Sequence, residues 1–211
     1  MTMKKIKIIC LLLGFISYAA TVGAQSSLTM EASQLYASFK FTDSQGSELN
    51  TEYSGIFTGA YGVGYRFITE SGIMLRGGLG MRKAGATLVY DDINYSWNLQ
   101  YADAKLGVGY MLKKDRISPY LSVSGYYAYL LRGYQTINNE DFNMKTAESL
   151  NEMDYGVFIT PGVHITLSDA VSSFLELNYM MGLQNIEKDE GQDATNLAYG
   201  VTLGLSFTIT K

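Results

Sequence analysis

Leu197-Ala-Tyr-Gly-Val-Thr-Leu-Gly-Leu-Ser-Phe-Thr-Ile209 alternates large apolar residues with Ala, Gly, Ser and Thr along its whole length. Period two is the signature of a strand, whose successive side chains point to opposite faces. The second face decides the environment. A soluble barrel turns its apolar face inward and carries charge outside. Here the second face is small and almost uncharged. Small residues suit the lumen of a narrow barrel, where eight strands leave room only for packed side chains. The apolar face then belongs against lipid.

The same alternation recurs upstream. Phe57, Tyr61, Val63, Tyr65 and Phe67 share one parity, as do Ile73, Leu75, Leu79 and Met81. Leu106, Val108, Tyr110 and Leu112 form another set, followed by Leu121, Val123, Tyr127, Tyr129 and Leu131. Tyr155, Val157, Ile159, Val163 and Ile165 come next, then Leu175, Leu177, Tyr179, Met181 and Leu183. A weaker first strand sets Leu35, Ala37, Phe39 and Phe41 on the lipid parity, opposite Gln34, Tyr36, Ser38 and Lys40. Together these predict an all-β, eight-stranded antiparallel transmembrane barrel. None of these apolar positions is charged, as expected where a lipid-facing charge costs ~2–4 kcal/mol at mid-depth. Pro161 lies on the lipid parity and predicts a bulge, since it removes a ladder donor.

Connections alternate in length. Short ones fall near Thr69–Gly72, Lys113–Ile117 and Ser168–Val171, and long polar ones span Asp43–Glu52, Gly85–Ser96, Arg132–Glu152 and Ile186–Asp193. Short periplasmic turns alternating with long extracellular loops are the pattern of an outer-membrane barrel.

Composition agrees. The 211 residues include 22 Gly and 17 Tyr but only 2 Pro and few charges, which excludes a disordered chain. Beyond the N-terminus no apolar run reaches the roughly 18 residues of a membrane helix. Met1–Ala24 reads as a signal peptide: Lys4, Lys5 and Lys7 precede the apolar run Ile8–Ile16, and Val22-Gly-Ala24 is a cleavage site before Gln25. Residues 25–211 are then the barrel domain, and the cell outer membrane its destination. The single cysteine, Cys10, leaves with the leader, so disulfides, thiolate metal sites and cysteine nucleophiles are excluded. Losing three lysines takes the formal net charge from −4 to −7, which argues against nucleic acid as a partner.

Asn98-Leu-Gln-Tyr-Ala-Asp-Ala-Lys105, Pro119-Tyr-Leu-Ser-Val-Ser-Gly-Tyr-Tyr-Ala-Tyr-Leu-Leu131, Asp154-Tyr-Gly156 and Asn178-Tyr-Met-Met-Gly-Leu-Gln-Asn-Ile186 resemble PorT-like outer-membrane β-barrel proteins. The resemblance covers the chain from about Leu28 onward. It implies an outer-membrane barrel, and it brings in secretion across that membrane as a task of some members. Asn178 stands where the family often has a lumen arginine, and the chain ends Phe207-Thr-Ile-Thr-Lys211 rather than on an aromatic residue.

Lumen parity gathers Lys40, Arg66, Arg76, Arg82, Asp103, Lys105 and Glu176, a polar network whose opposite charges satisfy one another. Read as function it is a gated ion path; read as structure it is a static plug, which the narrow bore favours. The glycines around Gly62 and Gly78 keep strand parity and lack the helix and Lys-Ser/Thr of a phosphate loop. His164, the only histidine, sits toward a periplasmic turn, away from the outer-leaflet position of a lipid-modifying enzyme's base. No catalytic residue, metal ligand or cofactor is expected. Among the acidic outer loops the third is longest, so Tyr134, Phe142 and Met144, with Asp189 and Asp193 of the fourth, are the expected interaction residues. Expected partners are outer-membrane lipid and lipopolysaccharide, and other envelope or secretion proteins. The function expected is a non-enzymatic structural or surface-interaction role through these loops. The alternative is a small passive pore or an accessory component of protein secretion.

Overall fold

The computed structural model describes residues 24–42, 45, 53–114, 116–188 and 193–210. The leader lies outside them except for Ala24, as do most of the first long connection and residues 189–192 of the fourth, Asp189 among them. The described strands are β1 (Ala24–Thr42), β2 (Tyr53–Thr69), β3 (Ile73–Ala84), β4 (Ala86–Tyr90), β5 (Ile93–Met111), β6 (Ile117–Ile137), β7 (Glu140–Asn143), β8 (Met153–Thr166), β9 (Val171–Gly182) and β10 (Asp193–Thr210).

Eight of them close into a ring. Antiparallel pairing runs β1–β2–β3–β5–β6–β8–β9–β10 and returns from β10 to β1 through Leu28↔Phe207 to Thr42↔Asp193. The seam is tight at Gly200, where any Cβ would lie 2.1 Å from the carbonyl oxygen of Gln34. Along the wall, apolar residues of one parity are exposed, among them Leu28, Met30, Val63, Leu79, Leu106, Val123, Leu177 and Leu203. The other parity packs inward. A greasy exterior around a polar filling is a protein built for lipid.

Three features depart from the sequence expectation. First, β1 is inverted toward its outer end. Leu35, Ala37, Phe39 and Phe41 are buried in the lumen, while Lys40 stands exposed on the outer face. Hydropathy alone assigned that strand wrongly because the lumen is not polar throughout. Its extracellular third is an apolar plug of Phe39, Phe41, Trp97, Leu99 and Leu130, closed from above by Leu150 and Ile186.

Second, much of the second and third long connections is sheet. β4 and β5 form a hairpin through Asp91 and Asp92 (φ 50° and 60°), and β6 and β7 another through Asn138 and Asn139 (φ 47° and 72°). Positive φ at both central residues gives the turn whose twist matches a hairpin, and Asn and Asp tolerate it better than most residues. The two hairpins share the β5–β6 ladder as far as Tyr95↔Ile137, so β4–β5–β6–β7 is one continuous sheet rising above the ring. Gly85 (φ 152°) separates β3 from β4; a Cβ there would meet the Trp97 carbonyl oxygen at 2.0 Å.

Third, Pro161 makes no bulge. Ile159↔Tyr179 and Gly162↔Glu176 keep one register, and the ladder to β9 simply lapses at Thr160 and Pro161. The missing N–H thus falls on the β9 side, while Leu121↔Pro161 continues the pairing with β6. Thr160 offsets the gap by donating its hydroxyl to Asn178 Oδ1 at 3.3 Å.

Candidate functional site

Inward parity on six of the eight ring strands delivers charge to the lumen, and the charges sort into two layers. In the lower layer Glu176 of β9 is the hub. It accepts from Arg66 Nη2 at 3.0 Å, from Arg76 Nη1 at 2.8 Å and Nη2 at 3.2 Å, and from the Tyr120 hydroxyl. Arg76 also approaches Glu31 at 3.5 Å, and Lys105 Nζ donates to Glu31 at 3.0 Å. The Arg66 guanidinium lies 4.4 Å from the Phe174 ring centroid, so its flat face is covered by an aromatic surface.

The upper layer is centred on Asp154. One oxygen, Oδ2, accepts from Arg82 Nη2, from the Tyr126 hydroxyl at 3.1 Å and from Asn196 Nδ2 at 3.0 Å. Asp103 lies 3.4 Å from Arg82 Nε, and the Arg82 guanidinium lies 4.5 Å from the Tyr101 ring and 4.9 Å from that of Tyr126. Arg82 is 2% exposed and Asp154 0%, so neither is solvated by bulk water. A buried charge persists only with a partner and satisfied hydrogen bonds.

The charges cancel. Among the described residues Arg66, Arg76, Arg82 and Lys105 meet Glu31, Asp103, Asp154 and Glu176, four against four. The network fills the bore. Within the charged layers lie two cavities of about 20 Å³, one beside Arg66, Arg76 and Glu31 and one between Asp103, Arg82 and Glu176, each about the size of one water. Polar atoms without a protein partner, such as Asp103 Oδ1, Asp154 Oδ1 and Arg82 Nη1, belong to this network.

Six of the seven lumen residues read from the sequence do meet here; Lys40 does not. Glu31 and Asp154 were missed. Glu31 shares parity with Leu35 and Phe39, so inverting β1 hid it. Asp154 opens β8 at the edge of the alternating run, where strand and loop look alike. His164 is buried near the periplasmic end, opposite Ser118 and Phe174 in the ladder.

The expected loop residues divide. Tyr134 is exposed on β6 and Phe142 on β7, both in the sheet above the ring. Met144 instead packs against the apolar plug. Asp193 starts β10, paired with Thr42, and Asp189 lies outside the described residues. The connection between β6 and β8 folds over the mouth: Leu150 bridges Glu187, and Asn151 Nδ2 donates to the carbonyls of Asn185 at 2.9 Å and Glu187 at 3.1 Å.

A closed antiparallel ring with an apolar exterior, short turns at one end and elaborated connections at the other defines a membrane-spanning β-barrel. The chain belongs to the outer membrane protein β-barrel domain family, whose model matches residues 21–188, and it resides in the outer membrane. No curated protein matches the sequence. Among solved structures it is similar to the outer membrane protein OprG from Pseudomonas aeruginosa, with 8% identity and a TM-score of 0.50 over 90% of this chain and 97% of that one. It is also similar to Ail, the attachment invasion locus protein of Yersinia pestis (9% identity, TM-score 0.47, 90% and 100% covered). The outer membrane protease OmpT from Escherichia coli is a third (8% identity, TM-score 0.45, 88% and 97% covered). At such identities the likeness is one of fold.

Proposed function

We propose that this chain is a non-enzymatic outer-membrane protein whose barrel is an anchor and whose working surface is the sheet above it. The observation that carries this reading is the continuous β4–β5–β6–β7 sheet, formed where β5 and β6 run on beyond the ring and joined to β2 through Tyr53↔Leu88. A surface meant to bind needs rigid presentation, which strands give more readily than loops. A filled, charge-neutral bore under an apolar plug weighs against a passive pore. Outer-membrane lipid, lipopolysaccharide and other envelope proteins are the partners such a surface meets. Export by cleavage before Gln25 is part of the proposal, and it would leave β1 almost whole.

A second reading, an accessory role in protein secretion, is supported by the PorT-like stretches Asn98–Lys105 and Pro119–Leu131, which form the β5–β6 wall. The two separate by location. With a photo-crosslinking residue at Tyr134 or Phe142, adducts to lipopolysaccharide or to surface proteins are expected in intact cells. Adducts formed only from Lys113, on the periplasmic turn, would favour the secretion reading and contradict the first.

A further inference from the structure

We propose that the outward-facing row Lys83–Gln100–Arg132 binds the phosphate of a phosphorylated glycolipid in the outer leaflet. The inference rests on the reading above and names a partner for that surface.

The row follows from strand parity and one irregularity. Lys83 continues the outward parity of Ile73, Leu75, Leu79 and Met81 on β3. It pairs with Gln100 of β5, which pairs with Arg132 of β6. Arg132 would face the lumen if β6 kept its alternation, because Ser122, Ser124, Tyr126, Ala128 and Leu130 all point inward. A register shift intervenes: Tyr101 pairs with Leu130 but Gln100 with Arg132, leaving Leu131 as the extra residue. A bulge re-aims the side chain that follows it. Here it turns Arg132 out of the bore and into line with Lys83. Neighbours in such a row stand about 5 Å apart, so the two cations bracket the Gln100 amide.

Height selects the ligand. The row directly below is Met81–Ala102–Tyr129, with Tyr61 beside Met81, apolar and aromatic as at a bilayer interface. The rows directly above are Asn98–Tyr134–Asn143 and Thr87–Ser96–Thr136–Asp141, hydroxyls and amides with one carboxylate, which accepts from the Thr136 hydroxyl at 2.6 Å, and without a cation. A basic row between them lies at headgroup level. There a charge costs little and anionic groups attract it. The polar rows above face the height at which a glycolipid carries its sugars.

Charge complementarity commits the row to an anion. The chain as a whole is acidic, with formal net charge −4. Among the described residues neither Lys83 nor Arg132 has an ion-pair partner, whereas the lumen charges are all engaged. Glu152, an acid on this side, accepts from the Tyr129 hydroxyl at 2.8 Å and is matched by Lys145 at 3.8 Å. Lys145 Nζ lies 4.5 Å from the Tyr129 ring, so a third cation borders the row. On β2 and β1 the outward residues in register with Lys83 are Gly59 and Gln34, a neutral pair. The Arg132 fork matches phosphate oxygens two at a time, and Lys83 adds a point charge.

The full chain, refolded in zwitterionic detergent, is titrated with bisphosphorylated lipid A and with the same lipid stripped of its phosphates. Bound lipid per barrel is read by native mass spectrometry, and folding is checked by the heat-dependent gel shift. The Lys83→Gln/Arg132→Gln variant should bind the phosphorylated lipid about thirtyfold more weakly. Lys113→Gln/Lys114→Gln, which removes equal charge at the periplasmic turn, should bind like wild type. Lys83→Arg/Arg132→Lys keeps the charge and should retain most of the affinity. Wild type should hold the stripped lipid no better than the rim variant does. Equal binding of both lipids by wild type, an unaltered rim variant, or an equal loss in the periplasmic variant would each overturn the site. A failed rim test with no conductance would leave the surface-interaction reading intact; stepwise conductance would remove that reading without touching this one.

Discussion

Asp154→Ala is expected to lower stability by ~3–5 kcal/mol, the cost of leaving a buried charge without its partner. Arg82 would lose its closest carboxylate, and Tyr126 and Asn196 would lose the oxygen they share. The remaining contact, Asp103 at 3.4 Å from Arg82 Nε, reaches one side of the guanidinium only. The lumen balance would move from four against four to an excess cation in a bore closed to solvent. Urea unfolding of the barrel from phosphatidylcholine vesicles measures this directly. Asp154→Asn keeps the shape and an acceptor for Tyr126 but not the charge, so its loss should be clearly smaller. Equal losses in the two variants would mean that charge, not hydrogen bonding, anchors the upper layer. No loss in either would show that water enters the bore freely.

Trp97→Ala is the second large effect, ~3–5 kcal/mol by the usual cost of deleting a buried aromatic. Trp97 closes the plug by packing with Tyr95 at 6.1 Å, Phe39 at 6.1 Å and Tyr53 at 5.6 Å between ring centroids. Those partners come from β5, β1 and β2, so the ring ties the base of the outer sheet to the opposite wall. The same unfolding experiment applies. Unlike Asp154→Ala, this variant should leave the charged layers undisturbed, because they lie nearer the periplasm. A loss below ~1 kcal/mol would mean that the cluster collapses around the gap or is loosely packed to begin with.

The sequence makes the outer wall legible because lipid imposes one rule on every strand: the exposed parity must be apolar. That rule reads β2, β3, β6, β8, β9 and β10 correctly, together with the inward aim of Arg66, Arg76, Arg82, Asp103, Lys105 and Glu176. It fails for β1, whose inward side changes from Glu31 to Phe39 as the strand passes from the charged layers into the plug. Apolar parity means outside only where the inside is polar. It also fails for Thr87–Tyr90 and Gln135–Ile137, which leave the bilayer while still in strand. There one face is apolar because it covers the plug, and polar turn residues made these segments look like loop. Asp154 and Glu31 had no signal of their own. Each is a single carboxylate whose importance comes from strands far away in sequence meeting across the bore.

These pieces make one account. Lipid selects the exterior, buried charge fills the middle, and an apolar plug closes the outer end. Strands that overshoot the ring then present their faces to the leaflet and the medium. Function on this account lies outside the bore. Planar-bilayer conductance of the refolded chain is the most direct test. The account expects insertion without stepwise current, for wild type and also for Trp97→Ala, since the two charged layers still fill the bore beneath the lost plug. Steady stepwise currents from the wild-type barrel, altered in size by Asp103→Ala or Glu176→Ala, would contradict it and make the lumen the working part.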